Sequence, residues 1–174
     1  MKIVVADAGP LIGISRVGHV ALLHRLYGEI LIPEHVREEL KLSSHKPGSQ
    51  IILNALQAGW IRCVSLRNKS EITRLDQAID AGEAEAIQLA IEQQADLLLI
   101  DDRNGRKAAK RRRVPIIGTG GVLIAAKKAG LLDKIAPVLD ALTDAGYRLS
   151  PALCEQILKL AGEFPPQNEI ADGG

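Results

Sequence analysis

The chain has 174 residues, enough for one ordinary domain with its own core, and 47% of them are hydrophobic. Its 22 Lys and Arg nearly balance its 21 Asp and Glu, so the net charge of +1 excludes the overall basic field of many nucleic-acid binders. Aromatic residues make up only 2%, which argues against a platform of rings that stacks RNA bases. Any contact with nucleic acid must come from a local basic patch.

The two cysteines, Cys63 and Cys154, lie far apart and outside any Cys/His ligand spacing, so the sequence indicates neither a zinc site nor a disulfide framework. No apolar run approaches the roughly 20 residues that cross a bilayer. A strand pattern begins at the N-terminus in place of a signal peptide. We expect a cytoplasmic protein without a membrane segment.

The first third of the chain alternates between short apolar strands and helices. Residues 3–6 predict a buried strand that ends at Asp7. Proline suits the first position of a helix, and glycine suits the residue after its end. On these signals the predicted elements are a helical turn over 10–17, a helical stretch after Gly18, a strand over 29–32, a helix over 33–41, a polar loop over 43–49, a helix over 50–58 closed by Gly59, and a strand over 61–64.

The same alternation continues to the C-terminus. Asp80 has the residue type of an N-cap for a helix over 82–95, and an apolar strand over 97–100 follows. The remaining predicted elements are a basic helix over 103–113, a strand over 114–117, a helix over 119–129, and two final helices over 133–145 and 150–161. Strands that alternate with helices predict a three-layer α/β/α sandwich around a mostly parallel sheet.

Carboxylates stand at the ends of two apolar strands, Asp7 after the first and Asp101 with Asp102 after the strand over 97–100. Ligands of open α/β sheets bind beyond the carboxyl ends of strands, so these acids can converge on one cation. The alternative is local: Asp7 as a turn residue, Asp102 as a helix cap, and Asp101 paired with Arg103 or Arg106.

Glutamates on two predicted helices can complete such a site. Neighbours on a helix lie about 100° apart, so only one of Glu38 and Glu39 can face a shared cleft. On the later helix Glu83 and Glu85 compete for the same role. Mg²⁺ and Mn²⁺ are the cations that prefer carboxylate and water ligands. Spacing alone leaves both choices open.

Basic residues follow the last acidic pair directly: Arg103, Arg106, Lys107, Lys110, Arg111, Arg112 and Arg113. A solvated helix face is one interpretation. The other is a ridge that contacts phosphates, and the neighbouring acids favour it. Residues 118–121 are rich in glycine but lack a phosphate-loop pattern, so they predict a tight turn.

Several segments resemble the PIN-domain ribonucleases, the fold of VapC-type toxins. They are residues 4–12, 32–40, 81–87 and 98–102. Residues 118–123 and 146–150 are similar to a prokaryotic branch of that family known as DUF3368. Each motif alone is weak, but their order and spacing are specific, and together they cover nearly the whole chain.

The resemblance implies a divalent-metal-dependent endoribonuclease that hydrolyses RNA phosphodiester bonds and serves as the toxin of a toxin–antitoxin pair. Matched motif by motif, the residues implied to bind Mg²⁺ or Mn²⁺ are Asp7, Glu39, Glu83 with Glu85 as the alternative, and Asp101 with Asp102 as the alternative. The implied RNA contacts are Arg103, Arg106, Lys107 and Lys110. Many relatives carry a hydroxyl or amide residue after the first acid, where this chain has Ala8.

We expect residues 1–163 to form a single PIN-like domain on which the helices from about 133 to 163 pack, and 164–174 to form a flexible tail. The resemblance implies RNA and an antitoxin protein as partners, and a homodimer. A non-catalytic PIN-like module that binds RNA or protein is the alternative function.

Overall fold

A computed structural model describes residues 1–42, 48–74 and 78–164. Within them, five strands form one sheet: β1 (Val4–Ala6), β2 (Ile30–Ile32), β3 (Ile61–Cys63), β4 (Leu97–Leu99) and β5 (Ile116–Ile117). Their order across the sheet is β3-β2-β1-β4-β5, and every pairing is parallel. The predicted α/β class is confirmed, with a sheet that is wholly parallel over the described strands.

Helices connect the strands. They are α1 (Ala8–Arg16), α2 (Ala21–Tyr27), α3 (Glu34–Leu42), α4 (Ser49–Ala58), α5 (Ala81–Glu92), α6 (Arg103–Arg111), α7 (Thr119–Lys128), α8 (Ala136–Asp144) and α9 (Pro151–Leu160). A short 3₁₀ helix over Lys69–Arg74, which the sequence pattern did not predict, precedes α5. Among the described residues, no helix combines the length and the apolar character needed to cross a membrane.

Both faces of the sheet are covered because successive side chains of a strand point to opposite faces. Val4 and Ala6 of β1 belong to one core cluster, together with residues of α1, α3 and α4. Val5, between them, belongs to a second cluster built with α5 and α6. The strands are therefore buried on both sides, which explains their uninterrupted apolar sequences.

A third apolar cluster joins the C-terminal helices to the rest. Its buried members include Leu123 of α7, Leu142 of α8 and Ile157 of α9. Through α7 this cluster also reaches α2, and α8 contacts α1. The end of α8 thereby comes near the first strand-to-helix connection.

The chain reverses direction across the sheet between β1 and β4. From β1 it proceeds outward to β2 and β3, then crosses back to place β4 and β5 on the other side of β1. Such a reversal opens a crevice at the carboxyl ends of the two central strands, where ligands of this architecture bind. Asp7 follows β1, and Asp101 and Asp102 follow β4, so all three lie at this crevice.

Two predicted helix ends are wrong by three residues each, and side-chain or backbone hydrogen bonds explain both. α5 ends at Glu92 rather than 95 because Gln94 takes a positive φ of 50° and its neighbour Ala95 donates back to the carbonyl of Ala90 at 2.9 Å. α8 begins at Ala136 rather than 133 because the carboxylate of Glu163 accepts from the backbone N–H groups there.

At the first helix the predicted start is two residues late. Asp7 is the extended N-cap and α1 begins at Ala8, with Pro10 inside the first turn, where no intrahelical donor is needed. Of the predicted loop over 43–49, residues 43–47 lie outside the described part, and Ser49 already opens α4. The predicted tail lies outside it from residue 165 onward.

Candidate functional site

Asp7 occupies the centre of the crevice. Its backbone N–H donates to the carbonyl of Leu99 in β4 at 2.9 Å, which ties the first acid to the strand that precedes Asp101 and Asp102. The residue is 7% exposed. A carboxylate this buried, with no basic side chain paired to it in the described chain, is costly to keep ionised.

The pKa of Asp7 is raised to about 7, first by burial and then by the negative charges of Asp80, Glu39 and Asp102. The hydrogen bond from the backbone N–H of Ala8 lowers this pKa, by less than burial raises it. Asp80, Glu39 and Asp102 therefore lie close enough to repel the Asp7 carboxylate, and they are its acidic neighbours.

Glu83 lies in the first turn of α5 and is also 7% exposed. Its backbone N–H donates to Asp80 Oδ1 at 2.8 Å, and its own Oε2 accepts from the Asp80 N–H at 3.1 Å, forming a capping box. Burial, and then the charges of Asp80, Asp102 and Asp7, raise its pKa to about 7 against the lowering effect of the hydrogen bond from the Asp80 N–H. The cap thus fixes a second buried carboxylate beside Asp7.

Glu39 reaches the same region from α3. Burial raises its pKa, as does the charge of Asp80, while His35, whose Nε2 lies 3.6 Å from Glu39 Oε1, lowers it. A Cβ on Gly82 would overlap the Glu39 carboxylate. The absence of a side chain at Gly82 therefore allows Glu39 to lie directly against the start of α5.

The alternative glutamates have other surroundings. Glu85 Oε2 accepts the backbone N–H of His35 at 2.9 Å, so this carboxylate caps the start of α3. The Glu38 side chain is 72% exposed and lies 3.9 Å from His35 Nδ1. Of the two open choices, Glu39 and Glu83 are the members that interact with Asp7 itself, whereas the charge of Glu85 acts on Glu39.

Asp101 is held by donors from later parts of the chain. The N–H of Thr119 donates to its Oδ1 at 2.8 Å and the Thr119 hydroxyl to its Oδ2 at 2.5 Å. The hydroxyl of Tyr147 also donates to Oδ2. The predicted pairing with arginine is replaced by these bonds, since Arg106 donates to the carbonyl of Ile100 at 2.8 Å instead.

Asp102 has a different hydrogen-bond partner from Asp101. It is the N-cap of α6, where its Oδ2 accepts the N–H of Gly105 at 2.9 Å. Its charge also raises the pKa values of Asp7 and Glu83, in addition to their burial. Asp102 therefore both caps a helix, as the sequence suggested, and belongs to the carboxylates around Asp7.

These interactions define one group of mutually repelling carboxylates, which we call the acidic cluster: Asp7, Glu39, Asp80, Glu83 and Asp102. Within the described residues, no three His, Cys, Asp or Glu side chains already form a group that could hold a metal ion. The cluster is thus a region of concentrated negative charge rather than a closed coordination cage.

A basic face lies next to the acidic cluster, on the helix that Asp102 caps. Gly105, Ala108 and Ala109 form the buried side of α6. Arg103, Lys107 and Lys110 are exposed, and their positions fall on the opposite side. Arg106, the fourth predicted RNA contact, is half-buried and already donates to the backbone.

The profile of a PIN-domain family, DUF3368, matches residues 3–163 of the chain. The chain belongs to the PIN-domain family. No curated protein matched it in a sequence comparison. PIN domains are generally nucleases, so the family indicates a nuclease-type function and confirms the resemblance that the motifs predicted.

Three residues of this PIN domain contribute to the site in ways that the sequence did not reveal. Asp80 was predicted only as a helix cap, yet its charge acts on Asp7, Glu39 and Glu83. Thr119 and Tyr147 supply the donors to Asp101. A signal for Asp80 existed in its position three residues before Glu83, whereas nothing local links Tyr147 to an acid 46 residues earlier.

Proposed function

We propose that this PIN domain is a divalent-metal-dependent endoribonuclease in which Asp7, Glu39, Glu83 and Asp102 hold Mg²⁺ or Mn²⁺. One observation carries the proposal: two carboxylates, Asp7 and Glu83, are each 7% exposed and have pKa values raised to about 7 at the crevice where such sheets bind ligands. Buried, mutually repelling carboxylates are costly unless a cation or proton neutralises them.

The donor set fits the metal. All of the proposed ligands are carboxylate oxygens, which hard cations such as Mg²⁺ and Mn²⁺ prefer. Mg²⁺ binds through a few carboxylates and keeps several waters, so a closed cage of protein ligands is not required. When bound, the metal supplies an activated water and neutralises charge that develops on the phosphodiester oxygens.

The fourth position is assigned to Asp102 rather than Asp101. Asp101 accepts bonds from Thr119 and Tyr147, whereas Asp102 interacts electrostatically with Asp7 and Glu83. Asp101 is proposed to act indirectly, by fixing the backbone next to Asp102. This choice follows from the contacts, because the sequence allowed either residue.

RNA is proposed to bind along the basic face formed by Arg103, Lys107 and Lys110. Sequence-independent affinity for nucleic acid comes mainly from Lys and Arg that contact phosphates. The exposed cations begin one residue after Asp102, so a backbone lying on them passes beside the acidic cluster. Arg106 is proposed to contribute by bracing the turn through the carbonyl of Ile100.

The proposal extends to biology: the protein acts as the toxin of a toxin–antitoxin pair in the cytoplasm, works as a homodimer and is neutralised by an antitoxin protein. Growth arrest on expression, relieved by co-expression of the product of an adjacent small gene, tests the toxin role. Sedimentation of the purified chain tests the dimer.

A non-catalytic module that binds RNA or protein is the second candidate. It is favoured by the lack, within the described residues, of a preformed group of three metal ligands. Such a module would bind RNA on the basic face without any requirement for divalent metal.

The decisive variant is Asp7→Asn, with the exposed Asp133→Asn as its control. We expect the wild-type chain and D133N to bind Mn²⁺ in calorimetry and to cut RNA only when the metal is present. D7N should fold, lose metal binding and lose cleavage. Cleavage by D7N at the parental rate would overturn the nuclease assignment, and wild-type protein that binds RNA but no Mn²⁺ would favour the module.

A further inference from the structure

Tyr147 lies in the loop between α8 and α9, and its side chain reaches the carboxyl edge of the sheet. The phenolic O–H donates a hydrogen bond to Asp101 Oδ2. Burial, followed by the negative charge of Asp101, raises the pKa of the phenol. The hydroxyl therefore stays protonated, and it acts as a donor to this carboxylate.

The end of α8 determines where Tyr147 lies. Gly146 takes a positive φ of 84°, and its N–H donates to the carbonyl of Thr143 at 3.0 Å. The N–H of Tyr147 donates to the carbonyl of Leu142 at 2.9 Å. This pair of bonds is a Schellman motif, in which the residue after the glycine packs back on the helix. Accordingly Tyr147 belongs to the same apolar cluster as Leu142.

The ring of Tyr147 also contacts the helix that begins at Asp7. A Cβ on Gly13 of α1 would lie 2.7 Å from ring carbons Cδ2 and Cε2, so the ring lies directly on the α1 backbone. A single side chain thus contacts the helix that follows the first acid and the turn that follows β4.

Within the described part of the chain, Asp101 receives one hydrogen bond from Tyr147 and two from Thr119. The donors come from α7 and from the α8–α9 loop, and the charge of Asp7 also acts on the Tyr147 phenol, so this hydroxyl lies near the acidic cluster. Asp101 and Asp102 are adjacent in the chain. Fixing the Asp101 side chain therefore restricts the backbone from which Asp102 extends.

We propose that Tyr147 is a positioning residue of the acidic cluster: by holding Asp101 against the start of α7, it orients Asp102 toward Asp7 and Glu83. This inference rests on the proposed metal-dependent nuclease. Residues that orient metal ligands from behind typically change metal affinity or activity by about 10- to 100-fold when they are replaced. Tyr147 is expected to fall in that range.

The test compares Tyr147→Phe with Tyr27→Phe, since the chain has two tyrosines and Tyr27 lies on α2. Y147F keeps the ring on Gly13 and removes the donor alone. We expect its Mn²⁺ dissociation constant to rise by about 10-fold or more and its kcat to fall, with KM for RNA unchanged. Y27F should match the wild type in Mn²⁺ affinity and in kcat.

Thr119 provides a second, independent pair of variants should Y147F fail to fold. Thr119→Val removes the other hydroxyl donor and should weaken Mn²⁺ binding in the same direction. Thr119→Ser keeps the hydroxyl and should bind Mn²⁺ with wild-type affinity. A loss of Mn²⁺ affinity in both Thr119 variants would identify a packing effect and overturn the inference.

The outcomes separate this inference from the proposed function. Y147F with wild-type Mn²⁺ affinity and kcat overturns the positioning role while the nuclease assignment stands. Mn²⁺ affinity that falls only in proportion to the folded fraction, measured by thermal unfolding, also overturns it. A wild-type chain that binds no Mn²⁺ overturns the proposed function, and the positioning role with it.

Discussion

Gly82 of α5 lies against the carboxylate of Glu39 in α3, so closely that a Cβ at this position would overlap Oε1. The two residues belong to helices that make extensive contact beside the crevice. Glycine is an unfavourable residue in a helix, by roughly 1 kcal/mol relative to alanine. Its presence in the first turn of α5 is therefore explained by the space it leaves for a carboxylate.

Gly82→Ala is expected to separate stability from function. The overlapping atom is the far end of a flexible side chain, so Glu39 can move and the fold should lose little or gain up to about 1 kcal/mol from helix propensity. Mn²⁺ affinity and RNA cleavage should fall because Glu39 is displaced. Calorimetry and chemical denaturation measure the two effects.

Gly9→Ala is the matched control for this experiment. Gly9 occupies the corresponding second position of α1, and a Cβ there would meet nothing within 4 Å. G9A should gain the same helix propensity and keep its metal affinity. Equal Mn²⁺ binding by G82A and G9A would exclude Glu39 from the metal site.

Asp101 and Asp102 should respond differently to replacement by asparagine. Asp102→Asn keeps an N-cap residue, since asparagine caps helices as well as aspartate does, so stability should change by less than about 1 kcal/mol while Mn²⁺ binding is lost. Asp101→Asn disturbs the bonds from Thr119 and Tyr147 and should destabilise the fold by roughly 1–3 kcal/mol. If instead D101N abolishes metal binding and D102N leaves it intact, the fourth ligand is Asp101.

Glu83 and Glu85 provide a second pair of positions at which matched variants can be compared. Glu83→Gln removes a charge that faces Asp7 and Asp102, and we expect a weaker Mn²⁺ affinity together with lost cleavage. Glu85→Gln weakens the cap at His35 and removes one charge that raises the pKa of Glu39, so we expect a loss of about 1 kcal/mol of stability and a smaller change in Mn²⁺ affinity than in E83Q. Mn²⁺ titration of both variants decides between them, and a stronger effect in E85Q would reverse the assignment.

Much of this site follows from sequence patterns, and the remainder depends on long-range contacts. Apolar runs that end in Asp7 and Asp101 predict both the sheet and its acidic edge, since parallel strands buried on both faces are continuous apolar runs. Local patterns cannot distinguish Glu83 from Glu85, because both occupy the first two turns of α5. The distinction arises when α3 packs on α5 and the N–H of His35 engages Glu85.

The metal-free protein should lose stability as the pH rises from about 4 to about 7. Burial and the charges of its acidic neighbours raise the pKa of Asp7 to about 7. The pKa of Glu83 is raised to about 7 for the same reasons. The folded state thus holds protons that the unfolded state releases at lower pH, so each carboxyl destabilises the fold above that range.

The expected loss in the free energy of unfolding is at most roughly 3–4 kcal/mol for each of the two carboxyls, Asp7 and Glu83. The two losses are less than additive because the carboxylates repel each other. Urea unfolding in EDTA at several pH values measures it. D7N should show a shallower slope, and saturating Mn²⁺ should stabilise the wild type most at high pH, where the ligands are ionised. Equal slopes for wild type and D7N would show that Asp7 is not perturbed.

Replacing Arg103, Lys107 and Lys110 with glutamine should weaken RNA binding in a salt-dependent manner. Each lost phosphate contact lowers the slope of log K against log salt by roughly 0.7 on single-stranded RNA. The metal affinity of this variant should be unchanged, since none of the three residues is a proposed metal ligand. Lys128→Gln, at the opposite end of α7 from Thr119, is the control. The slope is measured by filter binding of RNA at several salt concentrations, with all variants carrying D7N so that the RNA is not cleaved. An unchanged slope would place the RNA on another face.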